Sequence, residues 1–170
     1  SFQAHVGPMR PTSRGEIKLK SNKPSDAPSI QFNYMQTEHD LNEMRDGIEI
    51  ARDIFNQRAF DEYRGKELSP GIQEKSKESI NEFIRNKGDT AYHPSCTCKM
   101  GNDESSVVNE ELKVYGIDKL RVVDASIMPN IITGNLNAAT VMIAEKASDL
   151  ILKRSPLELE EHNFYRANYN

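Results

Sequence analysis

The residue best suited to chemistry is His93, which lies in the loop-like stretch 92–95, Tyr-His-Pro-Ser, after a predicted helix. A histidine titrates near neutral pH, so it can act as a general base or as a hydrogen-bond partner of a reacting group. A structural histidine with no chemical role is the alternative. The other three histidines, at positions 5, 39 and 162, have no neighbours that favour a chemical role.

The two cysteines, Cys96 and Cys98, are separated by a single residue and follow His93 closely. Three potential metal ligands are thus close together, which suggests a metal site. Zinc sites usually leave two to four residues between paired cysteines and take a second ligand pair from elsewhere in the chain. No second cysteine pair exists, and a disulfide across one residue would be strained. We therefore predict packing thiols and no metal site.

A second candidate is the loop 134–137, which opens into a helix predicted from about Ala138 to Lys153. The N-terminus of a helix presents free N–H groups and a partial positive charge, which favour anions or developing negative charge. Asn137 stands at the predicted N-cap, and a plain cap is the alternative interpretation. Asp124 and Ala125 end an apolar run, and polar residues at the carboxyl end of a strand are common in the ligand crevices of α/β sheets.

These candidates must be positioned by strands and helices that the apolar spacing predicts. Alternation in the first third predicts three strands of an antiparallel sheet with one face in water. Their apolar residues are Phe2, Ala4 and Val6; Ile17 and Leu19; and Ile30, Phe32 and Tyr34. Steps of three and four predict one helix with an apolar stripe from Leu41 to Phe55 and a second through Ile80 and Ile84 that ends at Gly88.

Three further local predictions complete the outline. Thr37 and Asp40 resemble a capping box at the start of the first of these helices. The charged segment from Glu62 to Gly71 is predicted to be a surface connection. Short strands are predicted at Leu112–Val114 and Leu120–Val123, and the second of them is apolar enough to be covered on both faces.

Composition excludes several classes of function. The chain has 170 residues and a formal net charge of −4, with no basic block. Nucleic-acid binding depends largely on neutralising phosphates, so no nucleic-acid partner is expected. The sequence shows no long apolar run and no basic segment followed by an apolar one, so we predict no transmembrane helix, no signal peptide and a cytoplasmic location.

Four ordered motifs resemble the carboxyl-terminal region of the glucose-methanol-choline (GMC) oxidoreductases. They are HPSCTCKMG at 93–101, LRVVDASIMP at 120–129, TGNLNAAT at 133–140 and MIAEK at 142–146. The segment HVGPMRPTSRG at 5–15 is similar to the start of that family's substrate-side sheet. The motif with two cysteines resembles the choline-oxidising members. The resemblance extends from about residue 2 to residue 153.

The resemblance implies an FAD-dependent alcohol oxidation. A hydride leaves the alcohol carbon for flavin N5 while the hydroxyl group loses its proton. The resemblance assigns His93 as the catalytic base or hydrogen-bond partner and Asn137 as the second catalytic residue. It also implies which residues lie beside the FAD: Asp124, Ala125, Asn135, Asn137 and Ala138. The partial charge of the helix behind Asn137 would favour a reduced, anionic flavin.

The choline-oxidising members act on a quaternary ammonium alcohol and form betaine aldehyde, a step of glycine betaine synthesis and osmoprotection. Tyr92, next to the proposed base, could attract the ammonium group through a cation–π interaction. A buried packing tyrosine is the alternative. The resemblance also implies an electron acceptor such as a quinone, which would bring peripheral association with a membrane.

No Gly-x-Gly-x-x-Gly motif occurs in the chain, although the family's dinucleotide-binding turn requires one. We therefore expect the carboxyl-terminal part of a larger flavoenzyme that lacks its amino-terminal FAD-binding half, is inactive alone and does not retain FAD. The expected class is α+β, with an antiparallel sheet and helices of a substrate-binding domain at 1–92. The catalytic loop and the carboxyl-terminal strand and helix of the FAD domain would occupy 93–153, with a tail at 154–170. Sheet edges left exposed would favour homo-oligomers.

Two alternatives to this function stay open. One is a segment of another alcohol oxidoreductase or oxidase of the same family. The other is a stand-alone, non-catalytic binding or assembly module that kept the fold without the cofactor half.

Overall fold

A computed structural model describes residues 1–155 and 157–158 of the chain, so most of the predicted tail and His162 lie outside the described residues. The elements in chain order are β1 (Glu16–Lys18), β2 (Ser29–Gln31), α1 (Glu38–Phe55), α2 (Lys77–Lys87) and α3 (Leu136–Leu152). Single 3₁₀ turns lie at Arg58–Phe60 and Ala125–Ile127. Separate strands and helices of this kind confirm the predicted α+β class.

The sheet is smaller than predicted. Strands β1 and β2 pair antiparallel with Ile17 opposite Ile30, and these two side chains are half exposed. The predicted strand at 2–6 is wrong, because the described structure places that segment in no sheet. Its alternating side chains pack on helical residues instead: the ring of Phe2 lies 4.9 Å from that of Phe55, and Val6 packs against the core between α1 and α2.

The third predicted strand ends at Gln31, before Phe32 and Tyr34. Asn33 and Met35 have φ angles of 54° and 55°, a left-handed conformation that interrupts an extended strand. The rings of Phe32 and Tyr34 stack on each other with centroids 5.1 Å apart. Their period-two spacing therefore reflects this stacked pair and not a longer strand.

Helices α1 and α2 form as predicted and enclose the first core. Leu41 and Ile48 of α1 pack with Ile80 and Ile84 of α2. The Thr37 hydroxyl caps α1 by accepting from the Asp40 amide at 3.3 Å. The capping box is only half present, since the Asp40 carboxylate accepts hydrogen bonds from Thr12 and Ser13 instead.

A second core lies in the last third of the described chain. Its buried side chains are Val108, Leu112, Ile127 and Ala147. Helix α3 contributes Ala147 to this core and packs on the 3₁₀ turn at Ala125–Ile127. The two cores fall on either side of the predicted boundary between residues 92 and 93, but the domain division itself stays a prediction.

The two strands predicted in this region are wrong. Only isolated bridges form, between Val108 and Val114 and between Lys113 and Arg121. Leu112 and Lys119 have φ angles of 64° and 61°, which break the extended chain on both sides of the bridges. Leu120 is 46% exposed, so the segment 120–123 is not covered on both faces.

Helix α3 begins two residues earlier than predicted. Asn135 is the N-cap, and Asn137 lies in the first turn, so the prediction of Asn137 as the cap is wrong. The side chain of Leu136 is only 6% exposed, and its burial accounts for the earlier start. Within the described ranges, none of the helices combines the length and apolar character needed to cross a bilayer.

Candidate functional site

His93 follows α2 in an irregular segment and is partly buried. It lines a broad groove together with Tyr92, the turn at 10–15 and Asn130. No hydrogen bond joins its ring to any other residue that the structure describes. The imidazole is therefore free to bind a hydroxyl group or its proton.

Two strained residues flank His93. Tyr92 has a φ of 58° and Cys96 a φ of 72°, although neither is a glycine. Left-handed conformations of such residues cost of order 1–3 kcal/mol each and concentrate at functional sites. The residue types give no sign of this conformation, so it could not be predicted from sequence. Tyr92 is 77% exposed in this chain, and its role as a cation–π contact or as a packing tyrosine stays a prediction.

Backbone hydrogen bonds attach the His93 segment to the second motif. The amides of Cys96, Cys98 and Met100 donate to the carbonyls of Ala125, Ser126 and Ile127 at 3.3, 2.9 and 2.7 Å. His93 therefore belongs to a segment that is fixed to the stretch containing Asp124 and Ala125. Their side chains remain outside the groove.

Asp124 has a structural contact of its own. Its carboxylate accepts from the Ser126 amide at 2.8 Å and so caps the 3₁₀ turn, while the side chain remains exposed. One carboxylate oxygen is used in this cap. The rest of the carboxylate is exposed to water, which is compatible with the predicted position of Asp124 beside a cofactor.

The cysteines are free thiols and are partly buried. The Cys96 thiol lies 3.3 Å from the Ser95 hydroxyl, at hydrogen-bond distance. Among the residues with described positions, no three His, Cys, Asp or Glu side chains are grouped so as to hold a metal ion.

The polar residues at the start of α3 form a separate surface. Asn135, Asn137 and Ala138 are exposed, and the Asn135 side chain makes no capping hydrogen bond. The first-turn amides of α3 thus lack a side-chain cap. None of these three residues lines the groove that contains His93.

Sequence reasoning missed one polar centre, the carboxylate of Asp40. Asp40 is 0% exposed, and its carboxylate accepts from the Thr12 amide at 2.7 Å, the Thr12 hydroxyl at 2.9 Å and the Ser13 amide at 2.9 Å. Burial tends to raise the pKa of this carboxyl group, but the hydrogen bonds from Ser13 and Thr12 outweigh it and hold the pKa well below its usual range.

Comparison with known proteins identifies the family. The profile described as GMC oxidoreductase matches residues 11–144. The oxygen-dependent choline dehydrogenase of Pseudomonas fluorescens (strain SBW25) is 57% identical over 166 residues, which cover 98% of this chain and 29% of that protein. The protein of the same name from Pectobacterium carotovorum subsp. carotovorum (strain PC1) is 55% identical over 164 residues, covering 96% of this chain and 29% of that relative.

Solved structures agree with this result. Pyridoxine 4-oxidase from Mesorbium loti superposes with a TM-score of 0.81 at 34% identity, over 87% of this chain and 29% of that one. An FAD-dependent oxidoreductase from Chaetomium thermophilum superposes with a TM-score of 0.80 at 31% identity, over 88% of this chain and 26% of that one. The chain spans less than a third of the length of these relatives. Its fold, its motifs and its similarity over nearly its whole length place this chain in the GMC oxidoreductase family.

Proposed function

We propose that this chain is the carboxyl-terminal part of an FAD-dependent choline dehydrogenase, which converts choline to betaine aldehyde. The observation that carries the proposal is the 57% identity to an oxygen-dependent choline dehydrogenase over 98% of the chain. The structural likeness to an FAD-dependent oxidoreductase supports the cofactor. The free imidazole of His93 in an open groove supports the chemistry.

His93 acts on the hydroxyl proton of the alcohol. An alcohol loses a hydride readily only when its oxygen carries negative charge, so the oxygen needs a proton acceptor nearby. The His93 ring has no partner among the described residues and is held in a segment anchored at Cys96 and Cys98. It can therefore accept the proton, or hold the oxygen by a hydrogen bond, with little reorganisation.

Asn137 acts as the second polar group. Its exposed amide, in the first turn of α3, donates a hydrogen bond to the alcohol oxygen and fixes its orientation. In this chain it lies outside the His93 groove, so the missing part of the enzyme must complete the site around both residues.

The residues present fit a flavin. The first turn of α3 offers amides without a side-chain cap, and the partial positive charge there suits the electron-rich edge of a flavin ring. Asn135, Asn137 and Ala138 would lie against that edge, and Asp124 and Ala125 against the rest of the cofactor. FAD, when bound, supplies the acceptor for the hydride.

An alcohol oxidase of the same family is a second candidate, because pyridoxine 4-oxidase has a similar structure. The two functions differ in the electron acceptor. A quinone acceptor would place a cytoplasmic enzyme at the membrane surface, whereas an oxidase would reduce oxygen directly.

The test uses the full-length enzyme that contains this chain. Dye reduction is measured with choline and with 3,3-dimethylbutan-1-ol, which has the same shape without the charge. We expect turnover with choline and a much lower kcat/KM with the neutral alcohol. Equal rates, or no reduction with choline, would overturn the proposed substrate. The 170-residue chain alone, the matched control, should show no turnover.

A further inference from the structure

The two cores of the chain are joined on one side of the groove by an arginine. The Arg14 guanidinium donates to the side-chain oxygen of Asn130 at 3.4 Å, across 116 positions of sequence. Asn130 lies in the loop between the 3₁₀ turn at Ala125–Ile127 and α3. Arg14, Asn130 and His93 all line the same groove.

The turn that contains Arg14 is fixed by hydrogen bonds other than the one to Asn130. This turn is attached to α1, because the Asp40 carboxylate accepts from Thr12 and Ser13. The Asn33 side chain donates to the Arg14 carbonyl at 3.1 Å.

The guanidinium is also held by its own turn. It donates to the carbonyls of Pro11 at 2.8 Å and Ser13 at 3.1 Å. A side chain oriented in this way loses little further freedom when it binds Asn130. The contact therefore links the Arg14 turn to the Asn130 loop at the surface of the chain, and its own turn already orients the Arg14 end of it.

We propose that Arg14 is a positioning residue of the alcohol-oxidising site. It fixes the loop 129–135, and with it the first turn of α3 that carries Asn137, relative to the turn 10–15, which is held on α1. The expected change in kcat rests on the proposed function, because it is measured with choline as the substrate. The fixing of the loop by Arg14 does not depend on that function, because Arg14 and Asn130 both belong to this chain.

The kinetic test is a double-mutant cycle in the full-length enzyme. Arg14→Met and Asn130→Ala should each lower kcat for choline about tenfold, since a small misplacement of reacting groups slows the chemical step. The double variant should be no slower than either single variant. The KM should change little, and the isotope effect on kcat with choline deuterated at the reacting carbon should rise.

Arg58→Met is the matched control, because Arg58 is exposed, lies outside the groove and makes no side-chain hydrogen bond to any described residue. It should leave kcat and the isotope effect unchanged. Arg14→Lys should recover only part of the loss, since an ammonium group cannot reach Pro11 and Asn130 in the same fork geometry. Equal kcat for Arg14→Met and Arg58→Met, or additive losses in the cycle, would overturn the proposal.

A second readout is independent of the substrate. Amide hydrogen exchange of residues 129–135 in the full-length enzyme should accelerate in Arg14→Met and stay unchanged in Arg58→Met. Unchanged exchange would overturn the positioning role even where choline is oxidised. If wild type does not oxidise choline, the proposed function fails, and accelerated exchange in Arg14→Met alone would still support the role of Arg14.

Discussion

Asp40 shows how a single carboxylate can organise a distant segment. Its side chain is removed from water and accepts three hydrogen bonds from Thr12 and Ser13. Hydrogen bonds to charged groups contribute about 1.5–3 kcal/mol each to stability. Asp40→Ala should therefore lower the free energy of unfolding by about 3 kcal/mol or more at pH 7, as urea unfolding would measure. Asp46→Ala, at an exposed aspartate of the same helix, should change it by less than about 0.5 kcal/mol.

The Asp40 carboxylate also makes the free energy of unfolding depend on pH, and the direction of that dependence follows from its pKa. The pKa of Asp40 is lower in the folded state than its ordinary value of about 3.9. Its contribution to stability is therefore complete above pH 5 or so and is lost as the pH falls through the lower folded pKa. The difference in stability between wild type and Asp40→Ala should shrink from about pH 5 downward. A difference that stays constant to pH 2 would contradict this linkage.

Tyr92 is the residue predicted to recognise the positive charge of the substrate. A cation–π contact with an exposed ring is worth about 0.5–1 kcal/mol, so Tyr92→Leu should raise the KM for choline a few-fold in the full-length enzyme. The KM for 3,3-dimethylbutan-1-ol should not change. Tyr63→Leu, at another tyrosine that is 72% exposed, is the control. Equal effects of Tyr92→Leu on the two alcohols would show that the ring does not recognise the ammonium group.

At the residue scale, the sequence predicts features that depend on neighbouring residues in the chain, but not those that depend on tertiary contacts. Residue type and neighbours single out His93 and its loop, and the chemical role of His93 stays a prediction. The Asp40 contacts could not be predicted, because the partners lie 27 and 28 positions away and only the fold brings them together. The shift of the cap from Asn137 to Asn135 has a similar cause, since the burial of Leu136 is a tertiary effect.

The helices α1 and α2 owe their stability to the core between them. Ile48 is 7% exposed and Ile50, on the same helix, is 59% exposed. Ile48→Ala should lower the free energy of unfolding by about 2–4 kcal/mol through lost burial and a residual cavity, and Ile50→Ala by less than about 1 kcal/mol. Thermal or urea unfolding of both variants measures the difference. Similar losses in the two variants would contradict the assignment of this core.

Elements with strong periodicity were predictable and short extended ones were not. The stripe from Leu41 to Phe55 repeats over several turns, so it specifies α1 almost to its ends. Each strand of the sheet has only three residues. A run that short carries too little pattern to separate a paired strand from an extended segment such as 2–6, which packs on helices.

At the scale of the whole molecule, the described residues leave large apolar side chains exposed on a helix, where a self-contained domain would bury most of them. On α3, Val141, Met142 and Ile151 are each more than half exposed. The relatives are more than three times as long, so the rest of the enzyme has ample chain to cover such surfaces.

The same argument gives a prediction for the isolated chain. The residues proposed to face the cofactor are mostly exposed, and the chain contains no Gly-x-Gly-x-x-Gly turn to hold the pyrophosphate. After incubation with FAD and desalting, the purified chain should show no flavin bands in its visible absorbance spectrum. The full-length enzyme treated in the same way should retain them. Retained bands in the isolated chain would mean that it builds a flavin site alone or by self-association.

The most direct test of the central claim is anaerobic reduction of the flavin by choline in the full-length enzyme, followed by stopped-flow absorbance. Wild type should bleach rapidly. His93→Ala should keep its flavin and bleach about 10²- to 10⁴-fold more slowly, as expected when a general base is lost. His5→Ala, at another histidine that lines the groove, should match wild type. Bleaching of His93→Ala at the wild-type rate would contradict the assignment of His93, and with it this account of the site.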